Sequence, residues 1–332
     1  MTYTYPFKTS LIAGLTLVSF SSLSTTAFAQ ETVTFEIENF IGRLTITNGD
    51  EVSIKGADAN TLSEQGNVWR IDGDEEINVT SCRANNSRVE LSFGSWSWLG
   101  RSGGYKNLDE YPHLKVTLPD NANLKLSDSV IYGDIADLGA ADITLNYCAD
   151  MVLGSVERQL KLEILGSADL QADTVGYADV TIRGSGDLSL EQVGDFTLSV
   201  NGSGDVDVET INGTALISSK GSGDIEIDDL VGNFEYRSQG SGDLSIDELR
   251  GDKAYISVNG SGDVEIDAGD VVDLSIKTNG SGGVDYGGRS DNVFARSNGS
   301  SDIYVKTARA EVTASANGSG SVKVDGVRYE RD

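Results

Sequence analysis

The chain holds one histidine, His113, two cysteines, Cys82 and Cys148, three prolines and three tryptophans in 332 residues. A single histidine excludes any site built from paired histidine ligands, and His113 beside Pro112 reads as a loop or packing residue. The cysteines form no CxxC and no cluster, which excludes cysteine-rich metal chemistry. Cations are scarce as well: 25 Lys and Arg stand against 52 Asp and Glu, for a net charge of −27. A surface this acidic repels nucleic acid and anionic lipid, so neither is expected as a partner. It suits divalent cations, basic partners or a salty milieu, and it also serves solubility alone.

Long apolar runs are missing except at the start. Met1 to Ser10 carry one positive charge, Lys8, Leu11 to Phe20 are mostly apolar, and Ala27-Phe28-Ala29 supplies small residues for a signal peptidase. Residues 1–29 therefore read as a signal peptide cut before Gln30. The run is too short to anchor in a membrane, and no cysteine at the cut invites a lipid. The expectation is an exported chain without membrane insertion, in the periplasm or at the exterior of a bacterium, with a charge of 24 − 52 = −28 once Lys8 is gone. In such a compartment Cys82 and Cys148 either pair as a disulfide or stay as two buried thiols, and no spacing rule decides at a separation of 66.

Glycine, by contrast, is abundant, with 39 residues, and much of it is periodic. Units of the type Gly-Ser-Gly-Asp-apolar begin at Gly166, Gly184, Gly202, Gly221, Gly240, Gly260, Gly280, Gly299 and Gly318, at steps of 18, 18, 19, 19, 20, 20, 19 and 19. Degenerate copies precede them around Ile131 to Ile135 and Tyr147 to Met151. Apolar residues alternate with polar ones on both sides of each glycine, as in Phe196, Leu198, Val200 and then Val206, Val208. That is period-2 patterning on two short strands per unit, with a second turn such as Ile211-Asn212-Gly213 further on. Each unit buries one stripe and closes a core only by stacking on its neighbours.

The fold class expected is all-β: a right-handed parallel β-helix, or β-solenoid, with rungs of ~19 residues stacked at ~4.8 Å. Residues 30–126 form an N-terminal β segment whose strands lead into or cap the helix, residues 127–327 carry the rungs, and residues 328–332 make a charged tail suited to cover the last edge. A leucine-rich repeat lacks its signature here, and a propeller blade needs about twice the period.

The glycines are expected to turn the chain between strands, one of them at positive φ, with serine and aspartate bonding nearby backbone N–H groups. Stacking places Asp169, Asp187, Asp205, Asp224, Asp243 and Asp263 in one column, and Asn201, Asn259, Asn279, Asn298 and Asn317 in a second, interrupted one. Asparagine ladders stack favourably, whereas like charges directly opposite repel. Backbone hydrogen bonds and solvent relieve that repulsion in the structural reading. Bound Ca²⁺ relieves it in the other, with Asp187, Asp205, Asp224, Asp243 and Asp263 as candidate ligands. No other cofactor is implied.

Residues 94–113 break the pattern and hold Trp96, Trp98 and Tyr105 in a glycine-serine context. They read as a partner-binding loop or as rings folded back to plug the open core. No catalytic residue stands out. A polysaccharide lyase or hydrolase on a β-helix needs a local, unrepeated group of carboxylates, whereas the carboxylates here repeat evenly.

Phe35-Glu36-Ile37-Glu38-Asn39 followed by Gly42-Arg43-Leu44-Thr45-Ile46, the strand ending at Leu118-Pro119, and the Gly-Ser-Gly-Asp rungs together resemble the bacterial family described as putative auto-transporter adhesin, head GIN domain. The resemblance spans about residues 33–325. It implies an exported β-solenoid that is not an enzyme, with adhesin-like binding of a surface protein or glycan. No run of amphipathic membrane strands follows the repeats, so a translocator barrel is not expected within this sequence. Three functions follow for test: a non-enzymatic surface-binding protein, a calcium-stabilised structural module, and a polysaccharide lyase or hydrolase.

Overall fold

The computed structural model describes residues 3–4, 32–58, 61–73, 77, 79–85, 88–93 and 105–329. It is an all-β chain, a parallel β-solenoid of about 11 turns with rungs about 19 residues apart. Each rung runs through two parallel stacks, as two strands such as Val206–Ile211 and Ala215–Ser219 or as one long strand such as Leu244–Val258. Leu188 faces Val206, then Ile225, Leu244, Val264, Val284, Ile303 and Val322 follow in register up one stack. In the other, Phe196 faces Ala215, then Phe234, Ala254 and Leu274. In the second column large and small side chains alternate from Phe196 to Ala254, so successive layers interlock. These residues are buried, as are Val193, Ile211, Leu230 and Leu249 at the second turn. Each fully buried aliphatic chain contributes roughly 1.5–3 kcal/mol through the water it leaves.

The first rung in the sequence is not the first in space. Strand Thr34–Glu38 lies parallel between Val68–Asp72 and Asn123–Ser127. Likewise Ile41–Asn48 lies parallel between His113–Leu118 and Val130–Ile135. The chain makes one rung, steps back to build the rung before it, and then passes over the first to continue. Antiparallel strands close both ends. Ser53–Lys55 and Leu62–Gln65 cover the N-terminal edge against His113–Leu118 and Val68–Asp72. Val327–Tyr329 covers the C-terminal edge against Val322–Val324. An uncovered parallel edge would pair with any free strand, so these caps limit end-to-end association.

Between Val68–Asp72 and His113–Leu118 the chain leaves the solenoid to form a separate antiparallel sheet of Val79–Asn85, Arg88–Phe93 and Tyr105–Asn107. It packs on the flank through a small cluster of Val79, Leu91, Leu108, Val130 and Cys148. Cys82 and Cys148 are joined as a disulfide with Cα atoms 6.2 Å apart, which ties this sheet to a rung. The Tyr147 hydroxyl donates to the Ile77 carbonyl at 2.7 Å, and Arg43 pairs with Asp109 at 3.0 Å, on the same seam.

Candidate functional site

The corner between the two stacks is where the repeat concentrates its chemistry. The Oδ1 atom of each aspartate accepts the backbone N–H of the aspartate one rung on: Asp187 to Asp205 at 2.9 Å, Asp205 to Asp224 at 2.8 Å, Asp224 to Asp243 at 2.8 Å and Asp243 to Asp263 at 2.7 Å. The column is thus a ladder of carboxylates capping amides, a charge-assisted bond at every step that offsets the repulsion between stacked anions. Where Gly283 and Ser321 replace aspartate, their N–H groups still donate to Asp263 and Asp302, both at 2.7 Å. The bonds reach across rungs rather than within one turn.

The glycines of these units serve a different purpose from the one expected. None of the repeat glycines from Gly166 to Gly262 has a positive φ. Instead the backbones of successive rungs nearly touch. A Cβ on Gly202 would lie 1.9 Å from the Gly184 carbonyl oxygen, one on Gly221 1.8 Å from that of Gly202, and one on Gly223 2.0 Å from that of Gly204. The close approach lets Ser203 donate its N–H to the Gly184 oxygen and Ser222 to the Gly202 oxygen, each at 3.0 Å. Serine hydroxyls add a further ladder, Ser222 to Ser203 at 3.3 Å.

The asparagine column forms where the sequence places it without interruption. Asn279 donates its amide N–H to Asn259 at 2.7 Å, Asn298 to Asn279 at 2.8 Å and Asn317 to Asn298 at 3.2 Å. Asn201 stands apart and bonds Ser199 instead, because Lys220 and Gln239 occupy the intervening rungs.

The sheet face beyond the aspartates is a broad acidic surface. Asp207, Glu226 and, past Ser245, Glu265 form a second exposed column, and Glu191, Glu209, Asp228, Asp247 and Asp267 a third. A shallow groove of about 640 Å³ runs along it from Asp169 to Asp243. Burial raises the pKa of Asp169, with the charges of Asp187 and Asp150 adding to it. Tyr132, at the upper end, is pushed up to about 12, chiefly by burial and then by Asp150 and Asp169. Among the described residues no group of three or more His, Cys, Asp or Glu is arranged to hold a metal ion. The calcium candidates Asp187, Asp205, Asp224, Asp243 and Asp263 each already use one oxygen for an amide of the next rung.

Trp96 and Trp98 lie outside the described residues, as does the side chain of Tyr105, whose backbone opens the third strand of the flanking sheet. His113 begins a strand rather than a loop and is exposed, with Nε2 2.9 Å from Thr45 Oγ1. Its pKa is lowered by partial burial and by the neighbouring charges of Lys115 and Arg43.

Sequence reasoning missed a row on the opposite face, formed by Arg237, Tyr255, Lys277, Phe294 and Arg296. The signal was present: three positions before the glycines at 240, 280 and 299 stand Arg237, Lys277 and Arg296, and five positions before those at 260 and 299 stand Tyr255 and Phe294.

Residues 178–290 and 215–327 match the model of the family described as putative auto-transporter adhesin, head GIN domain. The family resemblance read from the repeats therefore holds over residues 178–327. No curated protein and no solved structure matches the chain. Among the described residues no helix is long and apolar enough to cross a membrane.

Proposed function

We propose that this chain is an exported, non-enzymatic binding protein whose solenoid presents flat, repeated faces to a surface protein or glycan. The family match and the solenoid support an adhesin-like role. The observation that carries the reading is the aspartate ladder. The carboxylates that the repeat multiplies are engaged rung by rung in holding backbone amides, as scaffold parts are. An acid–base pair for glycoside chemistry would be local and unrepeated, with one carboxyl set apart from its partner. Export rests on residues 1–29, and the aromatic loop with Trp96, Trp98 and Tyr105 is a second contact region within the same proposal.

The test is retention of the chain from Gln30 onward on arrays of glycans and on envelope extracts. Specific, saturable retention supports the role, and turnover of any arrayed polymer would replace it with the enzymatic reading. A variant with Trp96→Ala and Trp98→Ala that binds in full removes the loop from the account. Secretion of a chain beginning at Gln30 supports export, and a cytoplasmic chain still carrying Met1 to Ala29 overturns it.

A further inference from the structure

We propose that the outer face of the second strand stack binds a linear acidic polysaccharide along the solenoid axis, through Arg237, Lys277 and Arg296. The inference rests on the binding role proposed above and names its ligand class. Arg237, Ser257, Lys277 and Arg296 occupy one register column on successive rungs, and Glu235, Tyr255, Ser275 and Phe294 stand in the column beside it. The Arg237 guanidinium sits 4.7 Å from the centre of the Tyr255 ring, and Lys277 sits 5.4 Å from Tyr255 and 5.6 Å from Phe294. The rings hold the cations in place before any ligand arrives, which lowers the ordering cost of binding. Ser257 between them is only 7% exposed although it points off the sheet. Arg237 is shared with Glu235 at 2.7 Å and Arg296 donates to Asn298 at 3.0 Å, but among the described residues no carboxylate lies within ion-pair reach of Lys277 or Arg296.

Beside this row runs a trough of about 660 Å³ whose floor is Gly221, Gly240, Gly260 and Gly280. Lys220, Gln239 and Asn279 line one side of it, and Asn279 belongs to the asparagine ladder. Asn279, Asn298 and Asn317 each give one amide N–H to the asparagine before them and keep a second for a ligand. A strip with cations on three of four rungs stacked at ~4.8 Å, together with amide N–H groups and serine hydroxyls, fits an extended polymer that offers anions and hydroxyls along its length. The ring faces are already occupied by cations, which leaves no stacking platform for the bases of a single-stranded nucleic acid. A second copy of the chain would bring its own charge of −27 and be repelled. A thin polyanion meets less of that charge: the second and third acidic columns lie on the other strand stack, and the aspartate ladder, three residues past the trough glycines, already has one oxygen of each carboxylate bonded to an amide.

Calorimetric titration of the full exported chain with polygalacturonate, and with neutral dextran as control, tests this. Binding of polygalacturonate alone is expected, weakening as salt rises. The triple variant Arg237→Gln, Lys277→Gln, Arg296→Gln should bind about tenfold more weakly. It should keep the parent's thermal midpoint, since all three side chains are at the surface. The variant Asp228→Asn, Asp247→Asn on the opposite face should bind as the parent does. Equal binding by the triple variant, equal binding of dextran, or retention of an oligothymidylate instead of the polysaccharide would each overturn the assignment. If the triple variant also keeps a partner found for the parent on arrays, the strip falls and the binding role stands. If the parent binds nothing on either, the role itself falls.

Discussion

Asp205 accepts the backbone N–H of Asp224 at 2.8 Å, although the two residues are 19 apart in the chain. The bond joins one rung to the next at the corner, where strand pairing pauses. Removing the carboxylate at Asp224 leaves the Asp243 amide without its partner. Asp224→Ala should therefore destabilise the chain by about 1 kcal/mol, water replacing part of the lost bond. Asp224→Asn keeps an acceptor and removes one of a row of like charges, so it should stay within a few tenths of a kcal/mol of the parent. Denaturant midpoints of the two variants compare them directly.

Glycine substitutions separate close approach from backbone conformation. Gly240→Ala would set a Cβ 2.0 Å from the Gly221 oxygen, while a Cβ at Gly326 meets nothing within 4 Å but sits at φ +77°. Gly240→Ala should cost about 2–4 kcal/mol by forcing two rungs apart. Gly326→Ala should cost about 1–2 kcal/mol through its left-handed backbone alone. The reverse order in thermal unfolding would mean that the corner relaxes more readily than its geometry indicates.

The disulfide ties the flanking sheet to the solenoid and leaves the rungs untouched. Replacing Cys82 and Cys148 with serine should lower the local stability of the sheet by about 2–4 kcal/mol. Amide hydrogen exchange should speed up across Val79–Asn85, Arg88–Phe93 and Tyr105–Asn107 and stay unchanged across Leu244–Val258. Uniform acceleration would show that the sheet and solenoid unfold as one unit.

Asp285 has a raised pKa, mainly through burial and then through Asp267, and Asp169 is raised likewise by its burial. A carboxyl that holds its proton more tightly folded than unfolded adds stability below its ordinary pKa, about 4. That contribution is lost as pH rises through the folded value. Asp285→Asn should therefore stabilise the chain at pH 7, with the gain shrinking toward pH 3. A gain that grows on acidification would contradict the assignment.

The solenoid was legible because its period is written in residues that the rung geometry requires. A rung needs a glycine where two backbones touch and an acceptor beside it, so Gly-Ser-Gly-Asp returns at each turn, and the apolar alternation around it places Val206 or Ile225 inward. The reason for the glycines was not legible, since composition does not distinguish positive φ from close approach, and only the Gly202 carbonyl beside Gly221 decides it. The order of the first rungs was hidden for a related reason. Alternation marks Phe35 and Ile37 as strand residues but carries no information on whether Trp69 or Leu124 pairs beside them, and both do. The basic and aromatic row was overlooked because its members on different rungs are 17 residues or more apart and meet only when the rungs stack, as Arg237 meets Tyr255.

The central claim is binding without turnover. Incubating the exported chain with arrayed and soluble polysaccharides, then weighing both complex and polymer by light scattering and mass spectrometry, tests it most directly. The account predicts a complex in which the polymer keeps its length. Shortened chains or unsaturated ends in the presence of the protein would contradict it.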